Sequence, residues 1–209
     1  MAHYGSWPSI ERHGLLSTSS LLDVFGIQGL RRDRIESQWR SASSPIEHPK
    51  HGHAVVRDQL PLRPDLLARC LTEGMTPEEW YRTLNAHVFF WVDEPHLDTL
   101  LNARAYREFP QTVLILDTAL LLERHLPAIR LSSINSGSIL RGGAPRGRQT
   151  FVPVAEYQTS RLVELCVVGA VADVRELVLT VEHRWPDGQR RLLHEGRRQP
   201  SNRGAIARS

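Results

Sequence analysis

Apolar side chains in this chain gather into short runs separated by polar, Gly- or Pro-bearing stretches. Val88-Phe89-Phe90-Trp91-Val92 is β-branched and aromatic throughout and predicts a strand. Thr112 to Leu116 predicts a second, buried strand, and Leu162 to Val168, closed by Gly169, a third that is buried on both faces. Shorter runs predict strands at Ala54 to Arg57, at Ile129 to Ser132 as a sheet edge, and at Val178 to Val181 as the last strand. Helical signals alternate with these. Ser6 and Pro8 open a helix that Gly14 ends, and Ser19 or Ser20 caps a second over Leu21 to Phe25. Charged residues from Arg31 open a helix toward Trp39, in a stretch (30–52) that is otherwise polar and irregular. Asp65 to Leu71 is amphipathic. Thr76-Pro77-Glu78-Glu79 combines a cap, a proline in the first turn and early acids, and predicts a helix to Asn85. Further helices are expected over His96 to Tyr106 and Thr118 to His125, with one turn at 173–177. Helices lead in the first half and strands in the second. That is an α+β pattern rather than an alternating βαβ one.

One residue conflicts with its run. Glu164 stands in the apolar stretch Leu162-Val163-Glu164-Leu165-Cys166-Val167-Val168. A carboxylate there must be paired, neutralised or turned toward a cleft. Its default role is a strand-end group reaching solvent or Arg161.

Composition changes the picture modestly. A chain of 209 residues with 41% hydrophobic content makes one domain with a full core. We expect it over residues 1–185, followed by a basic, poorly ordered tail over 186–209. No apolar run is long enough to span a membrane, and the N-terminus lacks a signal-peptide pattern, so a cytoplasmic protein is expected. Cys70 and Cys166 are far apart in apolar settings and read as reduced thiols. His48, His51 and His53 read as solvated loop residues, so no metal is expected. No dinucleotide fingerprint, P-loop or zinc pattern occurs. The net charge is +3, and Lys50 is the only lysine among the 26 basic side chains. Arginine suits phosphate and bases through its planar fork. Arg141, Arg146 and Arg148 lie in a glycine-rich stretch after Asn135-Ser136-Gly137-Ser138, which reads as a mobile cationic loop.

The opening, His3-Tyr4-Gly5-Ser6-Trp7-Pro8-Ser9-Ile10-Glu11-Arg12-His13-Gly14-Leu15-Leu16-Ser17, resembles that of the ADP-ribosyltransferase-like superfamily. DarT-type DNA ADP-ribosyltransferases begin similarly, with a His-bearing strand and a short helix ending in Gly-Leu and then Ser. Over residues 3–182 the chain resembles the bacterial DUF7002 family. That likeness runs through Arg57-Asp58-Gln59-Leu60-Pro61-Leu62, Asn85 with Val88-Phe89-Phe90-Trp91, Asn135-Ser136-Gly137-Ser138 and Thr150-Phe151. The resemblance implies a split β-sheet core with helices in the N-terminal half, and NAD, as substrate, in a cleft between two small sheets. It implies His3, with Tyr4 beside it, on a ribose hydroxyl, and Arg57 on the pyrophosphate. Phe90, Trp91 or Tyr106 would pack on nicotinamide, with the three left open. It implies Glu164 on the 2'-hydroxyl of the nicotinamide ribose, facing His3 across the cleft. Asn135, Ser136, Arg141, Arg146 and Arg148 would form the acceptor-side loop.

The expected function is thus an NAD-dependent ADP-ribosyltransferase acting on a nucleic acid (DNA or RNA) or a nucleotide. The alternatives are an NAD glycohydrolase, with water as acceptor, and a non-catalytic nucleic-acid-binding module. An RNA 2'-phosphotransferase shares the broad fold, but its tight cluster of basic catalytic residues is not found here.

Overall fold

A computed structural model of the chain describes residues 1–139 and 143–196. Arg141 and the expected tail beyond Gly196 lie outside the described residues. In chain order the elements are β1 (Ala2–His3), α1 (Trp7–His13), β2 (Leu15–Leu16), α2 (Thr18–Val24), α3 (Gly29–Ser37), β3 (Ser44–His48), β4 (Gly52–Val56), α4 (Pro64–Leu67), α5 (Pro77–Asn85), β5 (His87–Trp91), α6 (Glu94–Leu101), β6 (Gln111–Leu116), α7 (Thr118–His125), β7 (Ile129–Ser132), β8 (Val152–Pro153), β9 (Glu164–Val168), β10 (Ala170–Val171), α8 (Val174–Leu177), β11 (Val178–Arg184) and β12 (Arg190–Glu195).

The fold is α+β. Two four-stranded antiparallel sheets carry it, one ordered β1-β6-β11-β12 and the other β5-β9-β7-β8. The alternation of β9 explains its central place. Leu165 and Val167 enter a core with Ile129, Leu131, Val171, Val174 and Leu177, against which Leu114 and Leu116 of the first sheet also pack. Glu164 and Cys166 point to the other face. A second core joins Trp80, Tyr81 and Leu84 of α5 to Leu62, Leu67 and Ile139. A third seats the β3–β4 hairpin on α2 and α3 through Ile46, Val56, Leu22, Phe25 and Ile35. Gly14 links α1 to β2 at φ +85°, and a Cβ there would meet Ala172 Cα at 2.7 Å, so only glycine fits.

Helix α5 begins as its sequence predicts. Thr76 Oγ1 accepts the Glu79 amide at 3.3 Å, and Glu79 Oε2 accepts the Thr76 amide at 2.8 Å. Thr76→Ala is expected to lower stability by about 1 kcal/mol in urea unfolding, with an unchanged m-value.

Several expectations are corrected. Residues 44–48 are a strand, because a two-stranded hairpin tolerates Pro45 and needs only Ile46 to be buried. Ser17, not Ser19 or Ser20, caps α2 by accepting the Ser20 amide. Helix α6 ends at Leu101, so Tyr106 sits in the turns beyond it. Strand β7 is interior, and β8 forms the edge instead. The sheet also continues past residue 185: β12 pairs along β11, with Leu193 packed near Trp7. Its exposed charged positions hid that strand, since edge strands are often charged. Among the described residues no helix is long and apolar enough to cross a membrane.

Candidate active site

The structure gathers the expected site residues into two groups. The first lies against the sheet containing β1. His3 pairs opposite Gln111. Gln111 Oε1 accepts from Arg57 Nη1 at 2.9 Å, and the Arg57 guanidinium lies 4.4 Å from the centre of the Tyr106 ring. Tyr106 in turn donates to Asp58 Oδ1 at 3.3 Å, and burial raises its pKa. The strand-and-turn path explains the convergence: β4 delivers Arg57 at its end, and the buried Arg40 holds the Arg57 carbonyl through Nε at 3.1 Å. Burial lowers the Arg40 pKa to about 10. The Met1 amino group is buried near Arg57 and Arg184. Desolvation, then those two cations, lower its pKa to about 5. Tyr4 lies in the turn after β1, and its ring centre is 4.2 Å from that of His183.

The second group surrounds Glu164, which is 4% exposed and sits between Trp91 on β5 and Ser132 on β7. Both carboxylate oxygens accept from the Ser136 amide, at 3.2 and 3.1 Å. Burial pushes the Glu164 pKa up to about 7, against the pull of Ser136, Arg146 and His96. The Ser136 hydroxyl is near enough to act on the carboxylate yet makes no hydrogen bond of good geometry. His96 stacks on Trp91 with centroids 5.5 Å apart, and its Nδ1 lies 2.6 Å from Asp93 Oδ1.

Helix α6 joins the two groups. Its His96 meets Trp91 and acts on Glu164, while its Glu94 and Asp98 lie 3.9 and 4.0 Å from Arg184 Nη1. Arg184 pairs opposite Gln111, the residue that holds Arg57. Among the described residues, no hydrogen bond or ion pair joins His3 to Glu164; His3 uses Nδ1 on the Tyr4 carbonyl at 2.9 Å. The two stand on different sheets.

The three aromatic candidates separate. Trp91 is beside Glu164, Tyr106 is beneath Arg57, and Phe90 points into the core opposite Trp91. Phe90 is therefore not a site residue in this arrangement.

The loop between β7 and β8 also differs from its expected character. Arg146 is 2% exposed rather than free to meet phosphate. Its Nε donates to Ala144 O at 3.1 Å, Nη1 to Ser136 O at 3.3 Å and Nη2 to Ser138 O at 3.2 Å. Desolvation lowers its pKa. Arg148 is exposed and lies 3.9 Å from Glu79, and Asn135 is exposed beside the buried Ser136.

Sequence reasoning missed Gln111, Arg40 and His96. Only His96 carried a local signal, three residues after its N-cap Asp93. Among the described residues, no group of His, Cys, Asp or Glu could hold a metal ion. Cys70 and Cys166 are free thiols.

A model of a family of unknown function, DUF7002, matches residues 1–191. No curated protein and no solved structure matches the chain.

Proposed function

The chain belongs to the DUF7002 family, and from that premise and the geometry above we propose that it is an NAD-dependent ADP-ribosyltransferase. The observation that carries the proposal is Glu164: a weakly acidic carboxylate on a central strand, flanked by Trp91 and within the electrostatic reach of α6. His3 on one four-stranded sheet, with Arg57 and Tyr106 brought against it through Gln111, and Glu164 on the other sheet support the same reading.

Arg57 would neutralise the pyrophosphate of bound NAD as a bidentate donor. Trp91 offers a flat face for nicotinamide beside the carboxylate. Ionised Glu164 would accept a hydrogen bond from the ribose 2'-hydroxyl and stabilise positive charge developing on the ring. The bond between nicotinamide nitrogen and ribose C1' breaks, and nicotinamide leaves with the electron pair. A lone pair of the acceptor closes on C1', and the acceptor's proton passes to Glu164 or solvent. The proposed acceptor is a nucleic acid or nucleotide, supported by exposed Arg148 and the net charge of +3.

The burial of Glu164 favours one second reading. A carboxylate 4% exposed that caps the Ser136 amide also suits a non-catalytic binding module. Labelled NAD incubated separately with DNA, RNA and protein pools distinguishes these two from each other and from a glycohydrolase. A transferase labels one pool and releases nicotinamide, a glycohydrolase releases nicotinamide alone, and a binding module does neither. Arg57→Ala is expected to weaken NAD binding about 10- to 100-fold in calorimetry, the range for a charged hydrogen-bond partner. A wild-type protein that gives no heat with NAD would end the proposal.

A further inference from the structure

A groove of about 390 Å³ includes in its lining Ser132, the β7 residue paired with Glu164. Its walls include Glu73, Glu156, Gln149, Gln158 and Tyr157. The cation in its lining is Arg146, whose guanidinium is turned to the carbonyls of Ala144, Ser136 and Ser138. Such a groove offers a phosphate hydroxyl and amide donors but no cation turned toward it, and its carboxylates repel an anion. It presents two carboxylates, which only accept, and two side-chain amides, which both donate and accept. A guanidinium, being donor-only, would leave the amide donors unused. A nucleobase with an exocyclic amino group matches the whole set: the amino group meets a carboxylate, and the ring edge meets an amide. The volume also exceeds what a guanidinium needs and admits a base with part of its sugar.

We propose that this groove holds a nucleobase bearing an exocyclic amino group, taken out of its stack, while the strand's phosphates remain outside near Arg148. Calling that base the acceptor rests on the transferase reading; its binding does not.

The test uses the full chain with two single-stranded probes of equal length, an oligodeoxyadenosine and an abasic strand. The adenine strand should bind about tenfold tighter or more. Gln149 and Gln158 are exposed, so Gln149→Ala/Gln158→Ala removes little packing. That variant should lose the base preference while its affinity for the abasic strand stays the same. Equal affinity of the wild type for both strands, no binding to either, or a preference that survives the double substitution would overturn the proposal. So would competition by an arginine-rich peptide that oligodeoxyadenosine cannot match. Nicotinamide release is measured separately. If it is absent while the base preference holds, the transferase reading falls and the groove assignment stands.

Discussion

Glu164→Gln is expected to keep the fold and to slow nicotinamide release by about two to four orders of magnitude. The substitution is isosteric, and the amide oxygen can still accept from the Ser136 backbone. What it removes is the negative charge that, on the proposed reading, stabilises the developing ribose cation. Because burial raises the Glu164 pKa to about 7, the wild-type rate should climb as pH rises through that value. The residual rate of the variant should be flat there. Stability runs the opposite way. The folded protein binds this proton more tightly than the unfolded chain, so Glu164's contribution is fully present below the unfolded pKa near 4.5 and is lost as pH rises toward 7. At pH 8 the variant should therefore be more stable than the wild type by about 2–3 kcal/mol. Urea titrations across the pH range read this directly. A wild-type stability flat over that window would mean that the carboxylate is not buried as described.

Arg146→Ala should be the most damaging single change in the loop, costing about 3–5 kcal/mol. Three carbonyls lose the donor that this almost wholly buried guanidinium supplies, and the Ser136 bond among them is fully buried. The stacked core beneath also loses a neighbour, since the guanidinium lies 5.9 Å from the Trp80 ring centre. Arg146→Lys should recover little, because a single ammonium cannot reach carbonyls that a planar fork spans. A second readout separates this from general loosening. Arg146 lowers the Glu164 pKa, so its loss should shift the pH–rate profile to higher pH. Variants as stable as the wild type in urea would show that the loop is held by other means.

Local physics made much of the fold legible. The Thr76 capping box, β5 and α7 follow from spacing and residue type alone, and the structure has α5 over Pro77–Asn85 and α7 over Thr118–His125. The elements that escaped are those whose reason is tertiary. Residues 44–48 extend only because β4 lies beside them, and 190–195 only because β11 does. The site divides in the same way. Glu164 was visible because a charge in an apolar run is a local anomaly. The partners of Arg57 were not, since Gln111 and Arg40 are ordinary polar residues until the chain brings them together. Arg146 misled for a related reason: in a glycine-rich stretch, a buried staple and a solvent-facing cation have the same sequence signature.

The order β1-β6-β11-β12 has a consequence for synthesis. Ala2 finds its neighbour at Thr112, and the strand beyond that spans Val178–Arg184. A nascent chain therefore carries its first strand unpaired while the first half is translated. It cannot complete this sheet until the last described strands have left the ribosome. Such distant pairings slow folding, and they leave apolar edges open to other chains meanwhile. Refolding from denaturant should accordingly be slower than that of a helical protein of this size, and yields should fall as protein concentration rises.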